Sequence, residues 1–206
     1  SDPPLRHLWL NFSLALWLWT IAELLWAYKE IFSGVAGLGL ADIFWLIAYI
    51  FFGIALYAQH KLILRSSEWQ GRAVFAAIIA ITSGLTILFA YILAHQRQEA
   101  FTLPLLVHAF YPAGDLAIGL GALSIVYLFR GGVFNRAWLA MFLFALSDAL
   151  YAWLFNIGQY QALIEQSIWP QYVIESLYLF AYLAIGLGCF TQWLTLRYGF
   201  FYAKKS

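Results

Sequence analysis

Charge is what this sequence has least of. Only 10% of its 206 residues are Asp, Glu, Lys or Arg, against roughly 25% in an ordinary soluble domain. A chain so poor in charge cannot cover a water-facing surface, and its mean hydropathy of +0.79 agrees. Cysteine is nearly missing: Cys189 stands alone, which excludes an intramolecular disulfide, a CxxC redox pair and a thiolate metal cage. It is expected to be a small buried apolar residue. Basic residues are not in excess, and a net charge of +1 offers no clustered Lys and Arg face to a nucleic acid. GxSxG, HExxH and phosphate-loop motifs are absent, and no Lys lies mid-span to carry a retinal-type Schiff base. The opening Ser1-Asp2-Pro3-Pro4 has no basic n-region, so no signal peptide is read and an upstream or processed N-terminus is expected.

Long apolar runs fill the rest. A helix needs roughly 20 mostly apolar residues to cross a bilayer, and runs of that kind predict helices at about 8–28, 41–64, 73–94, 103–129, 137–156 and 172–198. Barrel strands would alternate apolar and polar residues, which these runs do not. The expected fold is therefore all-α: a polytopic membrane bundle of about six transmembrane helices, residues 1–206 forming one domain with the lipid bilayer as its principal partner. Short loops leave no room for a soluble catalytic domain. Counting Lys and Arg by side gives nine (Arg6, Lys61, Arg65, Arg72, Arg130, Arg136, Arg197, Lys204, Lys205) against two (Lys29, Arg97). The positive-inside rule then places both termini in the cytoplasm. Outer loops are expected at 33–40, 96–100 and 156–170.

An internal repeat is visible. Glu23-Leu24-Leu25-Trp26-Ala27-Tyr28 followed by Asp42-Ile43-Phe44-Trp45-Leu46-Ile47-Ala48-Tyr49 is answered by Asp148-Ala149-Leu150-Tyr151-Ala152-Trp153 followed by Glu175-Ser176-Leu177-Tyr178-Leu179-Phe180-Ala181-Tyr182. Gly53 and Gly186 follow in register. The offset is 125 residues from Glu23 to Asp148 and 133 from Asp42 to Glu175, so the loop of the second hairpin has grown. An even displacement of helices makes this a parallel repeat, of a kind some transporters use.

Five of the ten acids, Glu23, Asp42, Asp115, Asp148 and Glu175, fall in or at the edge of these runs, and the deduced topology puts all five in the outer half of the bilayer. An ionised carboxylate there costs at least roughly 2.5–3.5 kcal/mol by insertion scales, and intramembrane ionisable groups are functional by default. Residues at i, i+3 and i+7 share a helix face. Asp42 thus joins Trp45 and Tyr49, and Glu175 joins Tyr178 and Tyr182. Trp26 follows Glu23, and Tyr151 follows Asp148. Another stripe holds His108, Tyr111 and Asp115, with Pro112 expected to kink the helix between them. These residues predict an outward-facing cavity of carboxylates and aromatic faces suited to a small molecule or cation. The competing explanation is that buried acids hold helices together, at about 0.6 kcal/mol per interhelical bond. His108 with carboxylates matches no standard metal spacing, so neither metal nor cofactor is assigned. An intramembrane hydrolase using His108, Asp115 and Asp148 lacks a marked nucleophile, and no catalytic residue is named. Trp9 and Trp169 are expected to be interface anchors, and His7, His60 and His95 to be solvated helix-end residues.

Tyr111-Pro112-Ala113-Gly114-Asp115-Leu116, Ser147-Asp148-Ala149-Leu150-Tyr151 and Glu175 to Tyr182 resemble the recurring motifs of a seven-to-eight-helix membrane region. That region is the N-terminal sensor part of many prokaryotic signalling proteins with cytoplasmic GGDEF and EAL output domains. The first hairpin is similar to the family's earlier copy, so the resemblance covers nearly the whole chain. Glu23 and Glu175 stand where the family usually has Asp, Ala48 and Ala181 where it usually has Gly. One or two preceding helices and the output domain are not in this sequence. The resemblance implies a sensory or ligand-binding module of a prokaryotic cytoplasmic membrane, and adds no catalytic residues. Two other roles remain open on the residues alone: an accessory subunit of a larger membrane complex, with pigment or haem as its associate, and a small transporter.

Overall fold

The computed structural model of the protein describes residues 3–32, 38–64, 68–128, 135–167, 169–194 and 197–198. Arg65, Arg130, Lys204 and Lys205 of the charge count, and most of the glycine-rich turn, lie outside the described residues. Seven helices and no strand are found among those described: α1 (Pro3–Phe32), α2 (Leu40–Leu64), α3 (Glu68–Arg97), α4 (Leu103–Leu128), α5 (Asn135–Asn156), α6 (Gln159–Gln166) and α7 (Trp169–Leu194). All but α6 are long and apolar enough to cross a membrane, the architecture of a multi-pass membrane protein. Most helices run past their apolar runs, since backbone hydrogen bonding does not stop where hydrophobicity does. Prolines 3, 104 and 170 occupy first turns, where a missing N–H has no intrahelical acceptor to lose.

The chain divides into two compact units, Ser1–Ala76 and Ala77–Ser206. In the first, α1 packs against α2. The buried residues of α1 are Leu8, Phe12, Ala15, Trp19 and Ala22, spaced alternately by four and three, which keeps one seam of a helix turned to its partner. Ala48, Phe52, Ala55 and Gln59 of α2 carry the same spacing. Where aromatic residues meet, Phe12 and Phe52 pack edge to face at 5.8 Å. His60 is buried and its Nδ1 lies 2.9 Å from the Leu56 carbonyl. This corrects the expectation of a solvated helix-end histidine: α2 runs on to Leu64, and its buried seam continues through Gln59 and His60.

In the second unit α4 packs on α5, α5 on α7, and α6 bridges α5 and α7. The C-terminal part of α3 joins them through Ala90 and Leu93 against Leu105 and Ala109 of α4. Helix α4 is the most enclosed, with Ala109, Ala113, Ala117 and Gly121 buried at four-residue intervals. Such small-residue faces let membrane helices approach closely without a hydrophobic driving force. Helices α5 and α7 also approach closely: a Cβ built on Gly188 would lie 2.8 Å from the Ala137 Cα.

Helix α6 was not expected within the outer loop 156–170. It is eight residues long, and the repeat offsets of 133 and 125 differ by the same eight residues. The extra residues are shared: the connection between the long helices is 12 residues (157–168) against seven (33–39), and α7 also starts four residues earlier relative to Glu175 than α2 does relative to Asp42.

Candidate functional site

The thirteen residues singled out in the sequence divide between the units. Glu23, Trp26, Asp42, Trp45 and Tyr49 lie in the first. There, Trp45 donates its indole N–H to Glu23 Oε1 at 3.3 Å, a tie between α1 and α2. Asp42 Oδ2 accepts the Gly39 N–H at 2.6 Å. Gly39 precedes α2 and Asp42 is three residues on, so this is the returning half of a capping box, and a carboxylate there also suits the helix dipole. Trp45 and Tyr49 face Trp19, at ring distances of 6.4 and 5.3 Å. Trp26 is exposed. The polar groups of this hairpin therefore have local structural work.

The second unit holds His108, Tyr111, Asp115, Asp148, Tyr151, Glu175, Tyr178 and Tyr182. Its packing repeats the first hairpin ring for ring: Phe144 stands where Trp19 does, 5.7 Å from Tyr178 and 5.1 Å from Tyr182, which take the places of Trp45 and Tyr49. The two tyrosine hydroxyls are 3.1 Å apart. Asp115 and Asp148 are buried, at 1% and 9% exposure.

Glu175 breaks the symmetry. In the first hairpin its counterpart Asp42 caps a helix, but α7 starts at Trp169, so Glu175 sits in its second turn with no cap to form. It is exposed. Its Oε1 accepts hydrogen bonds from Gln171 Nε2 at 2.7 Å and from the Tyr160 hydroxyl at 3.2 Å, which orient the carboxylate. Tyr160 is on α6, and its ring packs edge to face on Tyr151 at 5.1 Å, with Tyr178 at 6.5 Å on Tyr151's other contact. Burial first, and then the Glu175 charge and hydrogen bond, push the Tyr160 hydroxyl up from its usual 10 to about 12. Tyr160 thus stays a donor at any physiological pH. The result is an oriented carboxylate hydrogen-bonded to Tyr160, whose ring packs on Tyr151 and through it on Tyr178; a carboxylate attracts cations by charge and phenol faces attract them by ring quadrupole.

Two pairs of residues were missed in the sequence. Gln171 was legible as the residue four before Glu175; Tyr160 was not, because its segment was read as loop. Asn156 and Arg97 were also missed. Asn156 Nδ2 donates to the His108 carbonyl at 2.9 Å, while the Arg97 guanidinium grips the Asn156 carbonyl through Nε at 3.1 Å and through Nη2. Pro112 was the signal: a proline leaves the carbonyl four residues earlier, here His108, without its helical donor.

Among the described residues no three His, Cys, Asp or Glu are placed to hold a metal ion together. An open depression at the α3–α4 turn, lined by Tyr91, His95, Gln98, Glu99 and Phe101, involves none of the thirteen. No protein-family model matches the chain, and no curated protein or solved structure matches it either.

Proposed function

We propose that this chain is a membrane sensor or ligand-binding module for a small organic cation, recognised at Glu175 and the rings of Tyr151, Tyr160 and Tyr178. The observation that carries it is the freed carboxylate: where Asp42 spends its charge on a helix end, Glu175 is exposed and held in one orientation by Tyr160 and Gln171. An ammonium group meeting the exposed carboxylate would have the Tyr160 ring as an aromatic neighbour. The charge count of nine against two supports cytoplasmic termini, which puts α6 and Glu175 on the outer side of a prokaryotic cytoplasmic membrane. Resemblance to the sensor region of GGDEF and EAL signalling proteins favours detection over transport.

The test is thermal unfolding of the detergent-purified protein against a panel of primary to quaternary amines, with Glu175→Gln and Asp42→Asn beside wild type. An amine at 100 times its Kd adds about 2.7 kcal/mol, a shift of several degrees. Stabilisation of wild type and Asp42→Asn, lost in Glu175→Gln, is the expected result. If no amine shifts wild type, or if Glu175→Gln responds equally, the cation reading fails, and stoichiometric co-purifying subunits become the thing to seek.

A further inference from the structure

Pro112 sits in the interior of α4, three residues before the buried Asp115. It has no N–H, so the helical bond that would end on the His108 carbonyl is missing, and prolines inside membrane helices persist only where something else satisfies the freed group. Here that group is the Asn156 side chain, 4% exposed, at the last residue of α5. Asn156 is in turn held by Arg97 at the last residue of α3, whose guanidinium binds the Asn156 carbonyl. Helix ends leave such carbonyls unbonded, and a cation there suits the dipole of α5. One asparagine therefore joins three helix segments with its two polar ends: a donor to the gap in α4, an acceptor to α3.

We infer that Asn156 is the latch of a hinge in α4 at Pro112, with Arg97 holding the latch. While the amide fills the His108 carbonyl, α4 is fixed on either side of the proline and Asp115 is held in its buried place. Loss of that hydrogen bond leaves a helix missing one rung of its ladder, which bends at the proline. Because α6 begins three residues after Asn156, a movement of α6 acts on the residue that sets the hinge. Asn156 and Arg97 lie outside the Glu175 cluster, and the hinge needs no amine.

Hydrogen exchange of the α4 amides in the detergent-purified full chain tests it, using Asn156→Leu, similar in shape but unable to donate, in wild-type and Pro112→Ala backgrounds. Pro112→Ala restores the N–H that the His108 carbonyl lacks, so the latch becomes redundant. The expected result is exchange over 109–116 at least tenfold faster in Asn156→Leu, with 177–187 of α7 unchanged, and less than a twofold effect of the same substitution in the Pro112→Ala background. Equal acceleration in both backgrounds, or none in wild type, overturns the inference. Should Asn156→Leu fail to fold alone, recovery by adding Pro112→Ala supports the latch. If the double variant also fails, Arg97→Gln decides: faster exchange confined to α4 and the end of α5 supports it, and unchanged exchange overturns it.

Discussion

The Tyr160 hydroxyl is caught between burial and the charge of Glu175, and both keep its proton on. Its pKa rises from the usual 10 to about 12 in the folded protein, whereas the unfolded chain releases the proton near 10. Folding thus gains from Tyr160 at all pH values below about 10, and that gain drains away as pH rises from about 10 to 12. Comparing Tyr160→Phe with wild type across this window isolates it among 13 tyrosines: the stability difference between the two proteins should narrow or reverse by pH 12. Residue-scale roles were only partly readable beforehand. Acid and aromatic spacing located the stripes, because side-chain direction on a helix follows sequence. It did not say which acid caps, which ties two helices and which is exposed, because that depends on where a helix begins. Asp42 and Glu175 read alike in sequence and differ because α2 starts two residues before one and α7 six before the other.

Between elements, glycines show where backbones meet. At Gly188 an added Cβ would face the Ala137 Cα at 2.8 Å and its N at 3.0 Å. Backbone has nowhere to rotate, so α5 and α7 must part. Gly188→Ala is expected to destabilise by about 1–3 kcal/mol, the usual range for overpacking. Gly53 and Gly186 meet nothing within 4 Å, and Ala there should be neutral or gain about 0.5–1 kcal/mol from reduced backbone entropy. Midpoints of thermal unfolding for the three single variants check both statements, and a harmless Gly188→Ala would contradict the close approach. Six of the seven helices were legible as apolar runs. Helix α6 was not, because Gln159, Gln161, Glu165 and Gln166 make half of it polar and no run marks it. Its place comes from packing against α5 and α7, a tertiary effect that local propensity does not register.

For the molecule as a whole, membrane character was written in composition, and the sidedness proposed from it is open to direct measurement. A cysteine placed at Glu99 or Gln161 in a Cys189→Ala background should react with an impermeant maleimide in intact cells, and one at Ser66 should not. The opposite pattern would invert the topology. The repeat, read as paired motifs in sequence, recurs as paired ring contacts around Trp19 and Phe144. What sequence did not reveal is that the counterpart acids Asp42 and Glu175 have different partners, since eight inserted residues look like slack in a loop. That insertion gives the protein its own internal blank. A ligand satisfied by an acid on an aromatic stripe would find the motif in both hairpins, and saturation would come at two per chain. One that needs the phenol brought by α6 has a single address, and a titration should end at one.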